Sequence, residues 1–561
     1  MIKKLKKDTD MKKYILLVVI AFLSIFFVLG SSLAWQGRMA GMGDPYGLTN
    51  DDSDFLIHPS LITRGKGFDF YSNFDFRYTG ISKWDMDIDL DGFNGIGAPP
   101  PTNPYSISES FDASGDQYDY KALLGSAFSL GAGRMGVFFA YEGMNRDIDG
   151  DAVYPFDPSV LSDSSTSADY DLESDIDDFS LRLIYGFPVD VNHLNLGAEA
   201  KISYVNEKQS SEWENNAGRS FLNRPNVIIR NAWAANTLWF QVPYDSDYWQ
   251  AEFKASANGQ VCLDSMGPID VTLSFGGGPI FAGDNEYRYE SENVAVSGAN
   301  LDADGDVSGF NLGGDLWVRV PVSDTFALPF VVSVHYTEKI RDGEGQISTP
   351  FEFPVFRNPD FSYEQKEESF VINAGGGVDM KLCNTSRETV GLFYTYLDSS
   401  DDLGITLDYP SGFPSAVYDE KVPGYTEHRV TLKLGWETDL SSTATIRTGF
   451  STFYGFIEKE YEFYLSYDAP LPIPLSERDA ASLDGHQWGI MASIGGSFKF
   501  SSITLEPYVN AGYRDLDLDG DLDMDAFLFT PIPITIEMRG DIDESRQEWF
   551  VGGGLSILFG S

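Results

Sequence analysis

Cysteine is nearly absent: Cys262 and Cys383 are the only two in 561 residues. That excludes a disulfide framework and any cysteine-rich metal centre. An oxidising compartment would allow the pair to bridge. Both fall in short turns on one side of the molecule with another turn between them, a geometry that favours two unpaired thiols. Positive charge is also scarce. Lys and Arg total 39 against 85 Asp and Glu, and the net charge is −46. Nucleic acid and anionic membrane surfaces are therefore poor partners. Long apolar runs are missing beyond the first 30 residues, so no later segment can cross a bilayer as a helix. Mean hydropathy is only −0.19.

The one apolar run, Tyr14 to Gly30, follows Lys3, Lys4, Lys6, Lys7, Lys12 and Lys13. Ser32-Leu33-Ala34 then places small residues at the −3 and −1 positions of a cleavage site. Residues 1–34 read as a secretory signal peptide, with Met11 as an alternative start. No cysteine lies at the cut, which argues against a lipoprotein. Six Lys and two Asp fall in this segment, so the remainder is more acidic still, at −50.

What is abundant is alternation. Trp549, Val551, Gly553, Leu555, Ile557 and Phe559 share one face of a strand, and Phe550, Gly552, Gly554, Ser556 and Leu558 the other. The pattern recurs at Phe68 to Tyr78, Phe179 to Phe187, Leu194 to Tyr204 and Val430 to Trp436. Short turns are expected near 131–134, 188–193, 258–267, 321–327, 383–389, 438–443 and 500–502. Long acidic connections are expected near 91–115, 147–175, 207–246, 291–308, 341–367, 398–425, 466–485 and 526–545. Seven turns between strand pairs, plus a first and a last strand, predict about sixteen strands, within a range of 14–18. The expected fold is all-β: a transmembrane antiparallel β-barrel with short periplasmic turns, long external loops and an N-terminal plug. The domains are then the signal peptide (1–34), a periplasmic or plug segment (35–66) and the barrel (67–561). Aromatics at 14% suit the lipid face and interfacial girdles of such a barrel. A soluble propeller should show a blade-length repeat, and none is found.

Two segments alternate Asp with apolar residues: Asp85, Asp87, Asp89 and Asp91, and Asp515, Asp517, Asp519, Asp521 and Asp523. They sit at the outer ends of the first and next-to-last strands, with only the last strand between them in a closed barrel, and predict an acidic rim, extended by Asp541, Asp543, Asp147, Asp149, Asp151, Asp175, Asp177 and Asp178. A carboxylate facing lipid is costly, so these side chains belong in the lumen or above the membrane. Calcium is the ion such a rim could take. Asp87, Asp89, Asp91 and Gly92, and again Asp515, Asp517, Asp519 and Gly520, match the start of an EF-hand loop, but Ala98 and Ala526 stand where the bidentate Glu belongs. Solvated acidic strands that bridge lipid phosphates through divalent ions are the simpler reading. No cofactor is expected otherwise.

The segment after the signal does not alternate. It contains Arg38, Met39, Gly41, Met42, Gly43, then Asp51-Asp52, then His58-Pro59-Ser60-Leu61. Glycine here allows tight bends, and Pro59 breaks regular structure. This stretch resembles the opening of the FadL-type outer-membrane transport family (OMPP1), whose members carry an Arg-x-Met-Gly-Met-Gly-Gly-like stretch, a paired Asp and Asn-Pro-Ala-x-Leu. His58 stands for the Asn and Ser60 for the Ala, and the chain ends Phe559-Gly560-Ser561 rather than on the aromatic. The family's fourteen strands are fewer than the sixteen expected here. The resemblance implies a hatch built from Arg38, Gly41, Gly43, Asp51, Asp52, His58 and Pro59, and a channel for hydrophobic compounds.

The five histidines, His58, His193, His335, His428 and His486, form no ligand cluster. His486 near Asp484 or His428 near Glu427 could be drawn as acid–base pairs, but neighbours on a strand point apart. No nucleophile elbow or phosphate loop is present, so the chain does not read as an enzyme. The expected function is passive transport of small compounds, hydrophobic ones included, across a Gram-negative outer membrane. A cation-preferring porin and a barrel-anchored display or adhesion protein are the alternatives, with Trp213, Trp233, Trp239 and Tyr244 as contact residues for the last. Expected partners are outer-membrane lipid and lipopolysaccharide, the barrel-assembly machinery and a small-molecule solute. The sequence leaves the oligomeric state open.

Overall fold

The computed structural model describes residues 42, 47–49, 54–65, 67–95, 105–154, 166–189, 193–215, 244–262, 268–290, 300–348, 360–408, 416–467, 475–501, 503–529 and 533–560. The signal peptide, Arg38, Gly41, Gly43, Asp51, Asp52, Trp233 and Trp239 lie outside these residues.

Sixteen antiparallel strands close into one barrel, each paired with its sequence neighbours and the first with the last. They are β1 (Phe68–Gly95), β2 (Tyr105–Leu130), β3 (Gly133–Tyr154), β4 (Thr166–Val189), β5 (Leu194–Asn215), β6 (Tyr244–Cys262), β7 (Pro268–Glu290), β8 (Asn300–Ser323), β9 (Phe326–Ser348), β10 (Asp360–Cys383), β11 (Ser386–Asp408), β12 (Ala416–Ser441), β13 (Ala444–Tyr467), β14 (Leu475–Phe500), β15 (Ile503–Phe529) and β16 (Pro533–Gly560). The seven short turns fall where alternation predicts them. The external connections do not. Strands run far into the acidic stretches, so that the expected loop at 526–545 shrinks to the three residues between Phe529 and Pro533. Alternating Asp and Leu pairs as well as any strand, because the ladder uses backbone groups.

The strands are about twice as long as a bilayer requires. Their inner halves carry large apolar side chains outward, among them Phe74, Phe253, Phe275, Leu392, Ile494 and Val551, all exposed. An apolar belt on a closed barrel is a lipid-facing surface, and the architecture is that of an outer-membrane protein. Aromatic rings bound the belt. Phe70 meets Phe559 on the periplasmic side, and Tyr78 meets Trp549 on the outer side.

The polar tips of the outer girdle point at carboxylates. Tyr141 and Tyr204 donate to Asp177 and Asp247 at 2.7 Å, Tyr336 to Glu368 at 2.6 Å, and the Trp488 indole to Asp515 at 3.1 Å. A ring with one greasy edge and one wet edge settles at such a boundary. His428 and His486 belong to this girdle. They lie mid-strand, His428 tilted against Tyr396 and His486 stacked on Tyr454.

Above the girdle the two faces exchange chemistry. In β15, Leu516, Leu518 and Leu522 are buried inside the barrel, and Asp517, Asp519, Asp521 and Asp523 are exposed outside. In β16, Ile542 is buried and Asp541 and Asp543 are exposed. In β1 a bulge after Ile81 sets Met86 and Ile88 inside and Asp87 and Asp89 outside.

Candidate functional site

The inner half of the lumen is crossed by the amino-terminal segment. Two short 3₁₀ turns, Asp54–Leu56 and Pro59–Arg64, fill the space beside β3 to β6. Pro59 opens the second turn, where its missing N–H costs nothing. Phe55, Leu56, Leu61 and Ile62 pack on Tyr71, Leu123, Phe138, Ile184 and Leu558 of the wall. Burying four such side chains supplies roughly 1.5–3 kcal/mol each.

Polar contacts fix the segment's height. The Ser60 N–H donates to Ser256 Oγ at 2.6 Å. Arg182 donates to the Leu56 carbonyl at 2.7 Å and is aimed there by Glu199 at 2.5 Å. Arg319 donates to the Leu48 carbonyl at 3.0 Å and is held by Asp379, which also pairs with Arg387. Each anchoring guanidinium is thus oriented by a wall carboxylate, and charge-assisted bonds of this kind are the stronger class.

The wall is thinned to receive the segment. Gly136, Gly186 and Gly197 lie against Ile62, Pro59 and Ser60, Gly391 lies against Leu48, and Gly435 lies against Met42. A Cβ at Gly435 would stand 2.9 Å from the Met42 carbonyl oxygen, and one at Gly186 2.7 Å from Ile62. The contacts run from β12 through β11 and β8 to β3, so the segment spans the lumen. Glycine on an inward face reads in sequence only as empty space, and the anchors Arg182, Arg319 and Ser256 carry no motif; sequence reasoning missed all of them.

His58 sits at the entrance of the second turn. Its side chain is fully buried, edge-on to Trp317 at 4.4 Å, and neither ring nitrogen has a hydrogen-bond partner among the described residues. Burial pushes its pKa down to about 4, with Asp315 opposing and Lys254 adding to the shift. It is a neutral packing residue here.

Above the segment the lumen is polar. Lys121 pairs with Glu142 at 2.8 Å, both side chains 56% exposed although they face inward. Arg77 lies over Phe550 at 4.0 Å, Lys433 over Phe393 at 5.0 Å, and His335 faces Asp315 at 3.6 Å. Inward groups that remain exposed mark a wet chamber at mid-membrane.

The outer end of the lumen closes again. Glu207 on β5 meets Lys339 on β9 at 2.9 Å and Arg341 at 2.5 Å. Lys339 also pairs with Glu367 on β10 at 2.8 Å, and Arg341 lies 4.3 Å over the Tyr244 ring of β6. The Tyr248 hydroxyl donates to Glu207 at 2.6 Å. Burial alone would push the Glu207 carboxyl up, but Lys339 and Arg341 beside it hold it down to about 2. This network lies above the outer girdle, three residues past Tyr204 and five past Tyr336.

The acidic residues stand where the sequence places them along the strands, with Asp87, Asp89, Asp517, Asp519, Asp541 and Asp543 outside the wall and Asp178 turned inward, 3.9 Å from Lys201. Asp85, Asp87, Asp89 and Asp91 continue β1, paired with Ser545, Asp543, Asp541 and Arg539. Gly92 and Gly520 lie within unbroken strands, so neither EF-hand-like stretch forms a loop. Carboxylate oxygens of Asp147, Asp149 and Asp171 do lie within 4.8 Å of one another. Cys262 and Cys383 are both free.

No family model and no curated protein matches the chain. Weak likenesses to solved structures exist. The toluene transporter TodX of P. putida is 10% identical over 94% of this chain and 99% of its own, at a TM-score of 0.38. A FadL homologue of Pseudomonas aeruginosa is 11% identical over 95% and 100%, at 0.36. The monoaromatic hydrocarbon channel CymD is 11% identical over 96% and 99%, at 0.32. One of these bears the name of the family that the amino-terminal motif resembles. Scores below 0.5 transfer neither a solute nor a mechanism.

Proposed function

We propose that the barrel carries small apolar or amphipathic molecules passively across the outer membrane, with residues 35–66 as the plug. The observation that carries this reading is the lining of the outer half. Met86, Ile88, Phe111, Ile148, Leu172, Leu518 and Ile542 face inward there, where a general porin needs water-bearing side chains. Along that flank, on β1 to β4, β15 and β16, a sugar or an ion would lose its hydration and an apolar compound would not; the opposite flank carries the paired charges of Glu207, Lys339 and Arg341. The ion-paired chamber below is the feature that favours the porin alternative, since charged ladders suit hydrated solutes. The docked amino-terminal segment weighs against an open pore.

Uptake into cells decides between the readings. Gram-negative cells expressing the protein should admit a small apolar fluorescent probe several-fold faster than vector controls, with a chromogenic hydrophilic antibiotic unaffected. Faster entry of the hydrophilic compound alone would establish the porin. No change in either would leave surface display as the function.

A further inference from the structure

We infer that the barrel has a second closure, an outer gate locked by the Glu207–Arg341 network and separate from the plug. This goes beyond the proposed transport and holds for any solute. Neighbouring strands lie about 4.8 Å apart, so β5 and β9 are roughly 19 Å apart along the wall. Yet Glu207 touches Lys339 at 2.9 Å and Arg341 at 2.5 Å. Side chains alone do not bridge that arc, so the wall must fold around β7 and bring its two flanks together. The outer half is therefore folded inward around β7.

The lock is buried. Arg341 is 1% exposed and Glu207 8%. Its partners come from both flanks: Glu207, Tyr244 and Tyr248 from β5 and β6, and Lys339, Arg341 and Glu367 from β9 and β10. Next to it Val205, Tyr248, Ile280 and Val307 form a dry cluster across β5 to β8. A buried network with partners on opposite flanks is a two-position element: fully paired when the flanks meet, hydrated when they part. Intermediate positions would strand desolvated charge, which is costly. Among the described residues, the amino-terminal segment contacts none of these groups. Its anchors, Arg182, Arg319 and Ser256, lie on the periplasmic side of the chamber.

Conductance in planar bilayers tests this with four refolded proteins: the intact mature chain, a deletion of residues 35–65, the pair Glu207→Gln with Glu367→Gln, and the deletion combined with that pair. The combined protein should give steady current at least tenfold above the deletion alone. Current from the deletion equal to that of the combined protein would overturn the gate, because the outer half would then be open already. So would a combined protein as silent as the deletion. Full current from the Gln pair alone would uphold the gate and remove the plug as a seal, which separates the two claims. If the Gln pair fails to refold by heat-shifted gel mobility, Lys339→Met with Arg341→Met breaks the lock from the other flank and must open the deletion protein equally. Arg341→Lys should stay closed.

Discussion

The membrane belt and the outer extension are built from the same strands with opposite chemistry. In β1 the belt shows Phe74 and Phe76 to lipid and keeps Asp75 and Arg77 inside, while the extension shows Asp87 and Asp89 to water and keeps Met86 and Ile88 inside. In β15 and β16 this happens with no break in alternation. The reversal occurs at the ring of Tyr and Trp, where the outside medium changes from hydrocarbon to water. A period-2 pattern therefore says which residues share a face, and the medium on each side says which face is apolar. The extension behaves as a water-soluble β structure standing on a membrane barrel.

The sharpest way to break this contrast is to put a charge inside the extension. Leu518 is fully buried. Leu518→Asp should cost about 4 kcal/mol or more, since an unpaired buried carboxylate has no compensating partner. Protease cleavage of the outer loops should rise sharply while the lipid-embedded half stays protected. The mirror change one residue away, Asp517→Leu, should alter stability by no more than about 0.5 kcal/mol. Equal damage from both would mean that the faces are misassigned.

The belt is probed by the reverse charge. Phe74 lies midway between the aromatic rings and is 55% exposed, toward lipid. Phe74→Lys should cost about 2–4 kcal/mol in folding from denaturant into bilayers. Lys in place of the outward Asp543 should cost little there and could gain from its acidic neighbours. If the two substitutions cost the same, the apolar belt does not face lipid.

Strand count and turn positions were legible because alternation needs only residue order. Two things were not. External loops were overestimated, because runs such as Asp521 to Asp525 carry the composition of a loop and the pairing of a strand. The candidate site was hidden further. Asp85 to Asp91 and Asp515 to Asp523 were visible as a motif yet form the outer wall, whereas Arg182, Arg319, Glu207 and Arg341 work through partners 126 to 271 positions away. Such pairs have no local signature. His58 was visible and is part of the docked segment, but as a packed neutral ring.

A smaller effect is expected at the anchors of the amino-terminal segment. Arg319→Ala removes a charge-assisted bond to Leu48 and strands Asp379 with Arg387 alone, a loss of about 1.5–3 kcal/mol. In a protein with Ser60→Cys and both native cysteines replaced by Ser, this change should speed thiol labelling at position 60 by about tenfold or more. Labelling unchanged would mean that the segment is held by its apolar contacts alone. The outer extension should be insensitive to the same substitution, by protease resistance of its loops.

The smallest effect is a pH dependence confined to the outer extension. Asp401 of β11 lies five residues beyond Tyr396, above the girdle, and accepts from Gln365 at 2.8 Å. Burial pushes its pKa up to about 6, with Glu367 adding to the rise and Arg341 and Lys339 opposing it. With the flanks apart the carboxyl would be hydrated and near its ordinary 3.8. The closed state therefore binds the proton more tightly. Its extra stability is complete below 3.8 and fades as pH rises through 6. Glu207 and Glu367 have the opposite sign. Although burial alone would raise both, Lys339 and Arg341 hold them low, so their contribution is lost only in strong acid and is constant above pH 5. Between pH 5 and 7.5 Asp401 is then the group in this network that titrates, and opening of the protein lacking residues 35–65 should increase by about tenfold across that range. Asp401→Asn should flatten the profile near its low-pH level. A profile that falls with rising pH, or one that persists in the Asn variant, would place the titrating group elsewhere.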